Sequence, residues 1–202
     1  MIKIGIDVGS TTAKLVAVDE NDNLLFSKYE RHNAKAKETI LSFLKELLSE
    51  IGDKDISVRI TGSIGMGISE KCSLPFVQEV VAAAKAIQKD YSHVTSMIDI
   101  GGEDAKVVFF KDAEATDLRM NGNCAGGTGA FIDQMAIILG VNIDELNQLA
   151  MNATQVYPIA SRCGVFCKTD IQNLIAKNVS RENIAASIFR AVAVQTVVTL
   201  AH

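Results

Sequence analysis

The sequence predicts an α/β fold of two related halves, and three observations carry that expectation. Alternating apolar residues mark short strands at the start of the chain and again from Ser96. Runs of apolar residues at helical spacing follow each set. One pattern also occurs twice, at Asp7 to Lys14 and at Asp99 to Lys106: a strand ends in an acid, turns through glycine and polar residues, and returns as a strand carrying lysine.

In order, Ile2 to Asp7, Ala13 to Asp19 and Leu24 to Tyr29 read as a three-strand meander, with Asp19 to Asn23 as the turn between the last two. Ile40, Leu41, Phe43, Leu44, Leu47, Leu48 and Ile51 then share a helical face that stops at Gly52, a C-terminal cap. Ile56 to Thr61 reads as a strand and Val77 to Ile87 as a helix, so the first half is βββαβα. The second half opens alike, with strands at Ser96 to Ile100, Ala105 to Phe110 and Ala115 to Met120. Helices follow at Thr128 to Leu139, after Asn142, at Lys168 to Lys177 and at Arg181 to His202. Asn142 with Glu145 three residues on has the form of a capping box, and Ser180 is placed to cap the last helix. The repeat sets the halves at residues 1–92 and 93–202. No strand is visible after Met120, so the second half is expected to be incomplete at its C-terminal end.

A chain of 202 residues with 48% hydrophobic content can bury a sizeable core, which excludes disorder. The net charge of −4, without a Lys/Arg cluster, gives no footprint for nucleic acid or an anionic membrane, so neither is an expected partner. No signal-peptide pattern opens the chain, and no apolar stretch is read as approaching the roughly 20 residues that span a bilayer, so a soluble, cytoplasmic protein is expected. Disulfides are then unexpected for Cys72, Cys124, Cys163 and Cys167; packing, metal and redox roles compete. Cys72, beside Pro75, is read as packing, and His32, His93 and His202 as surface residues.

The chemistry sits in the repeated turns. Gly9 lets the backbone approach an anion, while the N–H groups and hydroxyls of Ser10, Thr11 and Thr12 supply donors to phosphate oxygens and Lys14 follows on the returning strand. Gly101, Gly102, Glu103, Asp104 and Lys106 repeat that arrangement. Asp7 and Asp99 are the candidate Mg²⁺ carboxylates, and with Glu103 the candidate catalytic acids. Either turn alone is equally well a tight hairpin with Asp as turn former. The pair, at matching places of a repeat, points to ATP.

These turns resemble the phosphate loops of the actin-like (ribonuclease H-like) ATPases, the superfamily of acetate and sugar kinases, heat-shock chaperones and actin. Asn121 to Phe131 (NGNCAGGTGAF) and Ser161 to Phe166 (SRCGVF), with Asp99 to Lys106, resemble more narrowly the activator component of 2-hydroxyacyl-CoA dehydratases and its benzoyl-CoA reductase relatives. That resemblance implies ATP hydrolysis coupled to electron transfer, and a [4Fe–4S] cluster bridging a homodimer through two cysteines of each subunit, which by motif are Cys124 and Cys163. It further implies a reduced ferredoxin or flavodoxin as donor, and a dehydratase or reductase as acceptor. Members continue past the helix that ends here at His202, so a fragment with weak nucleotide affinity is expected.

Physical chemistry adds that Cys124 and Cys163 each precede a helix start, where a thiolate is favoured. Cys167, four residues beyond Cys163, stays open as a further ligand. Gly127, Thr128 and Gly129 either offer N–H groups to nucleotide or merely allow a tight turn. Thr61 to Gly65 resembles a third glycine turn near the family's cleft, and is equally well an ordinary strand-to-loop turn. Two other readings stand: a small-molecule kinase with incidental cysteines, and a non-catalytic nucleotide-sensing module.

Overall fold

The computed structural model describes residues 1–111, 114–121, 126–160 and 163–200. It divides into two compact units, Met1–Tyr91 and Ser92–His202.

The first unit is built on a sheet ordered β3-β2-β1-β4. Strands β1 (Ile2–Val8), β2 (Thr12–Val18) and β3 (Leu24–Arg31) form the antiparallel meander, and β4 (Ile56–Thr61) adds parallel to β1. Ile2, Ile4, Ile6 and Val8 alternate inward along β1 and meet Leu15 and Ala17 of β2 in one core. Helix α1 (Ala36–Ile51) closes it with Ile40, Phe43 and Leu47 and ends at Gly52, as its spacing predicts. Two details differ from the sequence reading. A short helix α2 (Gly65–Cys72) begins inside the glycine turn after β4. Its two glycines and Ser69 gave no periodic apolar signal. Helix α3 (Glu79–Asp90) begins later than Val77, because the Val77 N–H donates to Ile60 O at 2.9 Å and keeps that segment extended.

The second unit has a three-stranded antiparallel sheet, β5 (Ser96–Ile100), β6 (Ala105–Lys111) and β7 (Glu114–Met120), in that spatial order. Its helices are α4 (Gly129–Leu139), α5 (Ile143–Met151), α6 (Gly164–Ala176) and α7 (Arg181–Leu200). The capping box forms: Asn142 Oδ1 accepts from Glu145 N–H, and Glu145 Oε2 from Asn142 N–H, both at 2.9 Å. Ser180 Oγ accepts from Asn183 N–H at the start of α7. At 20 residues, α7 is long and apolar enough by length and composition to cross a membrane, which corrects the reading that no segment approaches that length. In this fold it is a core helix, its Ile184, Ile188 and Val192 packed with Phe131, Met135 and Leu146. Helix α6 starts at Gly164, before the expected Lys168, which makes Cys163 its N-cap residue.

Candidate functional site

The two repeated turns are hairpins of one geometry. In β1–β2 the cross-strand register pairs Asp7 with Lys14, and in β5–β6 it pairs Asp99 with Lys106. Each hairpin is closed by a glycine N–H donating to the carbonyl three residues on: Gly9 to Thr12 at 3.0 Å, and Gly101 to Asp104 at 2.9 Å. The antiparallel ladder therefore places an acid and a lysine side by side at the mouth of each turn, since directly opposed residues share a sheet face.

The charges are arranged differently in the two. Lys14 Nζ donates to Asp7 Oδ2 at 2.8 Å, with the lysine half exposed. Lys106 is buried; its Nζ lies 3.0 Å from Asp104 Oδ2 and 4.0 Å from Asp99 Oδ2. Glu103 stands exposed at the tip of the second turn. Ser10 and Thr11 lie at the first tip with their hydroxyls 3.3 Å apart. A side chain on Gly9 would meet only Thr12 O, at an ordinary 3.7 Å. Nothing inside the unit therefore demands glycine there, and what its bareness leaves open is approach to the backbone from outside.

Behind the first turn lies a third element. The parallel register of β1 with β4 pairs Asp7 with Thr61, and both Asp7 Oδ1 and Thr61 Oγ1 are buried without a hydrogen-bond partner. Gly62, at φ +90°, follows so closely that a Cβ there would lie 2.3 Å from Val8 O and 2.6 Å from Asp7 Oδ1. The Ile64 N–H donates to Val8 O at 2.9 Å. The turn at residues 61–65 is therefore packed on the acidic end of β1. An ionised carboxylate with one oxygen lacking a donor is under-compensated, a state that suits it to a divalent cation or that cation's hydration water.

One histidine departs from the sequence reading. His32, expected at the surface, is only 4% exposed, and its Nε2–H donates to Gly9 O at 3.0 Å. Its backbone N–H donates to Thr11 O at 3.2 Å. No local signal marks it, because the carbonyl that its ring bonds is 23 positions away. His93 is exposed as expected, and His202 lies outside the described residues.

In the second unit, α4 docks on the second hairpin. Gly129 N–H donates to Gly101 O at 2.8 Å and Ala130 N–H to Gly102 O at 3.1 Å. A Cβ at Gly129 would meet Gly101 O at 3.1 Å. Those amides are thus engaged within the unit rather than offered to a ligand. Thr128 is fully buried, and Gly127, at φ +93°, lies where a Cβ would stand 2.8 Å from Gln195 Cγ. Gly127, Thr128 and Gly129 thus form the tight turn that leads into α4 and docks it on the second hairpin.

Of the cysteines, Cys124 lies outside the described residues. Cys163 is partly exposed at the N-cap of the 13-residue α6, with no hydrogen bond from its side chain to the helix. Asp170 of the same helix accepts at Oδ2 from the Ala160 N–H at 2.9 Å. Val165 and Phe166 beside Cys163 are 71% and 67% exposed. Cys167 is buried, and burial, with the nearby Asp170 and Cys163, pushes its thiol up to about 12. A buried thiol held protonated is a packing residue, and Cys167 joins the core of α4, α5 and α7. Cys72, read as packing, is exposed at the end of α2. Native alkylation at about pH 8 is therefore expected to label Cys72 and spare Cys167 until the chain unfolds, since the thiolate is the nucleophile; peptide mass spectrometry reads both. Among the described residues no cluster of three or more metal-ligating side chains exists.

Residues 4–201 match the model of the BadF/BadG/BcrA/BcrD ATPase family. The chain belongs to this ATPase family. Its structure is similar to that of the activator of the 2-hydroxyisocaproyl-CoA dehydratase from Clostridium difficile with bound ADPNP, at TM-score 0.87 and 29% identity, covering 96% of this chain and 73% of the other. It is likewise similar to (R)-2-hydroxyglutaryl-CoA dehydratase component A of Acidaminococcus fermentans, at TM-score 0.89 and 28% identity, covering 98% and 77%. The activator of lactoyl-CoA dehydratase from Anaerotignum propionicum is 29% identical, over 96% of this chain and 75% of its own. The chain thus has the actin-like ATPase fold of these family members and spans about three-quarters of their length.

Proposed function

We propose that the protein is an ATP-dependent activator that passes a low-potential electron to a 2-hydroxyacyl-CoA dehydratase or a related CoA-ester reductase. The observation that carries this reading is the presence, in one chain of this ATPase family, of two register-matched Asp/Lys hairpins and a partly exposed thiol at a helix N-terminus.

The first hairpin takes phosphate oxygens on Ser10, Thr11, Thr12 and Lys14, with Asp7 holding Mg²⁺ or its water; the second uses Gly101, Gly102, Asp104 and Lys106, with Asp99 and Glu103 as its acids. Lys14 and Lys106 offset phosphate charge that Mg²⁺ leaves. ATP and water become ADP and phosphate, and that hydrolysis gates delivery of one electron from a reduced ferredoxin or flavodoxin to the acceptor enzyme.

A [4Fe–4S] cluster held by Cys124 and Cys163 of two subunits supplies the low-potential electron carrier when bound. Cys163 fits such a ligand. Its place at the N-cap of α6 sets the thiol at the positive end of the helix dipole, which suits an anionic cluster, and its partial exposure leaves it reachable. Two ligands per chain match a homodimeric cluster, because four thiolates are needed.

Anaerobic reconstitution with iron and sulfide tests this. Wild type and Cys72→Ala are expected to bind both and turn brown, whereas Cys124→Ala and Cys163→Ala are expected to lose them while retaining ATP hydrolysis. A wild-type chain that takes up neither iron nor sulfide overturns the redox role and leaves a kinase of the same fold as the reading to pursue.

A further inference from the structure

We propose that His32 is a positioning residue for the first phosphate hairpin, locking the Gly9–Ser10 peptide plane with its ring so that the Ser10 N–H faces outward toward phosphate. The inference rests on the reading of residues 7–14 as a phosphate loop and goes beyond it, because His32 lies outside that segment.

The argument begins with the peptide group. Its C=O and N–H point in opposite directions across a trans bond, so fixing one fixes the other. His32 Nε2–H donates to Gly9 O from a buried position, which turns that carbonyl inward and directs the N–H of Ser10 to the opposite side. The His32 backbone N–H also holds Thr11 O, so the two bonds bracket Ser10. Without the ring, Gly9 has no Cβ to restrain it, and its peptide is free to rotate.

Two further features make the ring a device rather than filler. Its Nδ1 is buried with no partner, a cost accepted in order to direct Nε2 at the loop. The chain then turns through Asn33 and Ala34, both left-handed at φ +47° and +62°, before Lys35 N–H donates to His32 O at 2.7 Å. Consecutive non-glycine residues in this region are strained and persist only where the surroundings hold them. Here they set the ring beneath the hairpin.

The test compares His32→Met, His32→Gln and His32→Asn with wild type and with Asp7→Asn, measuring kcat and KM for ATP hydrolysis. Gln places an amide N–H close to the Nε2 position, Asn close to Nδ1, and Met none. Loss of one hydrogen bond predicts a rise in KM for MgATP of about fivefold in His32→Met and His32→Asn. His32→Gln is expected to restore wild-type KM. A fold-supporting residue without the loop bond would instead leave Gln no better than Asn, and that result overturns the proposal. If Asp7→Asn is also silent, the phosphate-loop reading falls; if Asp7→Asn is inactive while His32→Met matches wild type, only the histidine proposal falls. Nitrogen-15 spectra of the wild-type histidines decide the matter even where variants fail to fold. The proton is expected on Nε2 of His32, and a proton on Nδ1 alone excludes the proposed bond.

Discussion

Asp7→Asn is expected to lower ATP hydrolysis by about a hundredfold or more, while the chain keeps its fold. The magnitude is that of removing one preorganised electrostatic group from a reacting centre. Asp7 ends β1, and its Oδ2 reaches solvent beside Lys14 while Oδ1 faces the turn after β4. Asn keeps the shape and removes the charge that would hold Mg²⁺. Stability should change little, because the ion pair lost has a lysine 47% exposed and such pairs contribute about 0.2–1 kcal/mol, and because neutralising a carboxylate with one buried unpaired oxygen relieves a cost. Phosphate-release kinetics with a thermal melt check both halves. Hydrolysis within about threefold of wild type, at an unchanged melting temperature, would remove Asp7 from the site.

Gly62→Ala should be among the most damaging single-methyl changes available. At φ +90° any side chain is strained, and this one would lie 2.3 Å from Val8 O and 2.5 Å from its carbonyl carbon, both backbone atoms that cannot swing away. Either β1 and β4 separate or the turn rebuilds, and a loss of about 3 kcal/mol or more is expected. The consequence is functional as well, since the same Cβ would press on Asp7 Oδ1. Chemical denaturation should register the loss, and Gly67→Ala is the control, because its Cβ would meet nothing within 4 Å. Equal stability for both variants would show that the turn does not pack on β1 as described.

Legibility in the sequence followed the range of the forces involved. The strands of both sheets and helices α1, α4 and α5 were readable because alternation and helical spacing report which face is buried, and a capping box is a contact between residues three apart. The short α2 was not readable, having a glycine start and little apolar content. The early start of α6 was missed because its first turn, Gly164 to Cys167, has no side-chain N-cap bond and two of its residues face outward, leaving no amphipathic signature. For α7 the reading of length was too strict, since Gln195 and Thr196 interrupt the apolar run in sequence yet are themselves buried.

The sequence by itself determined the two hairpins, their acids and glycines, and hence the expectation of an actin-like ATPase, because those features are local: a strand end, a turn and a returning strand. Only the tertiary structure decided what each hairpin rests on. His32 under Gly9, Gly62 against Asp7, and Gly129 on Gly101 are contacts between residues distant in the chain, and no periodicity encodes them. The same distinction sorts the cysteines, for a thiol's exposure is a property of its neighbours. Cys167 is taken into the core, Cys163 is left at a helix mouth and Cys72 is turned out to solvent by packing that the spacing of the four residues does not contain.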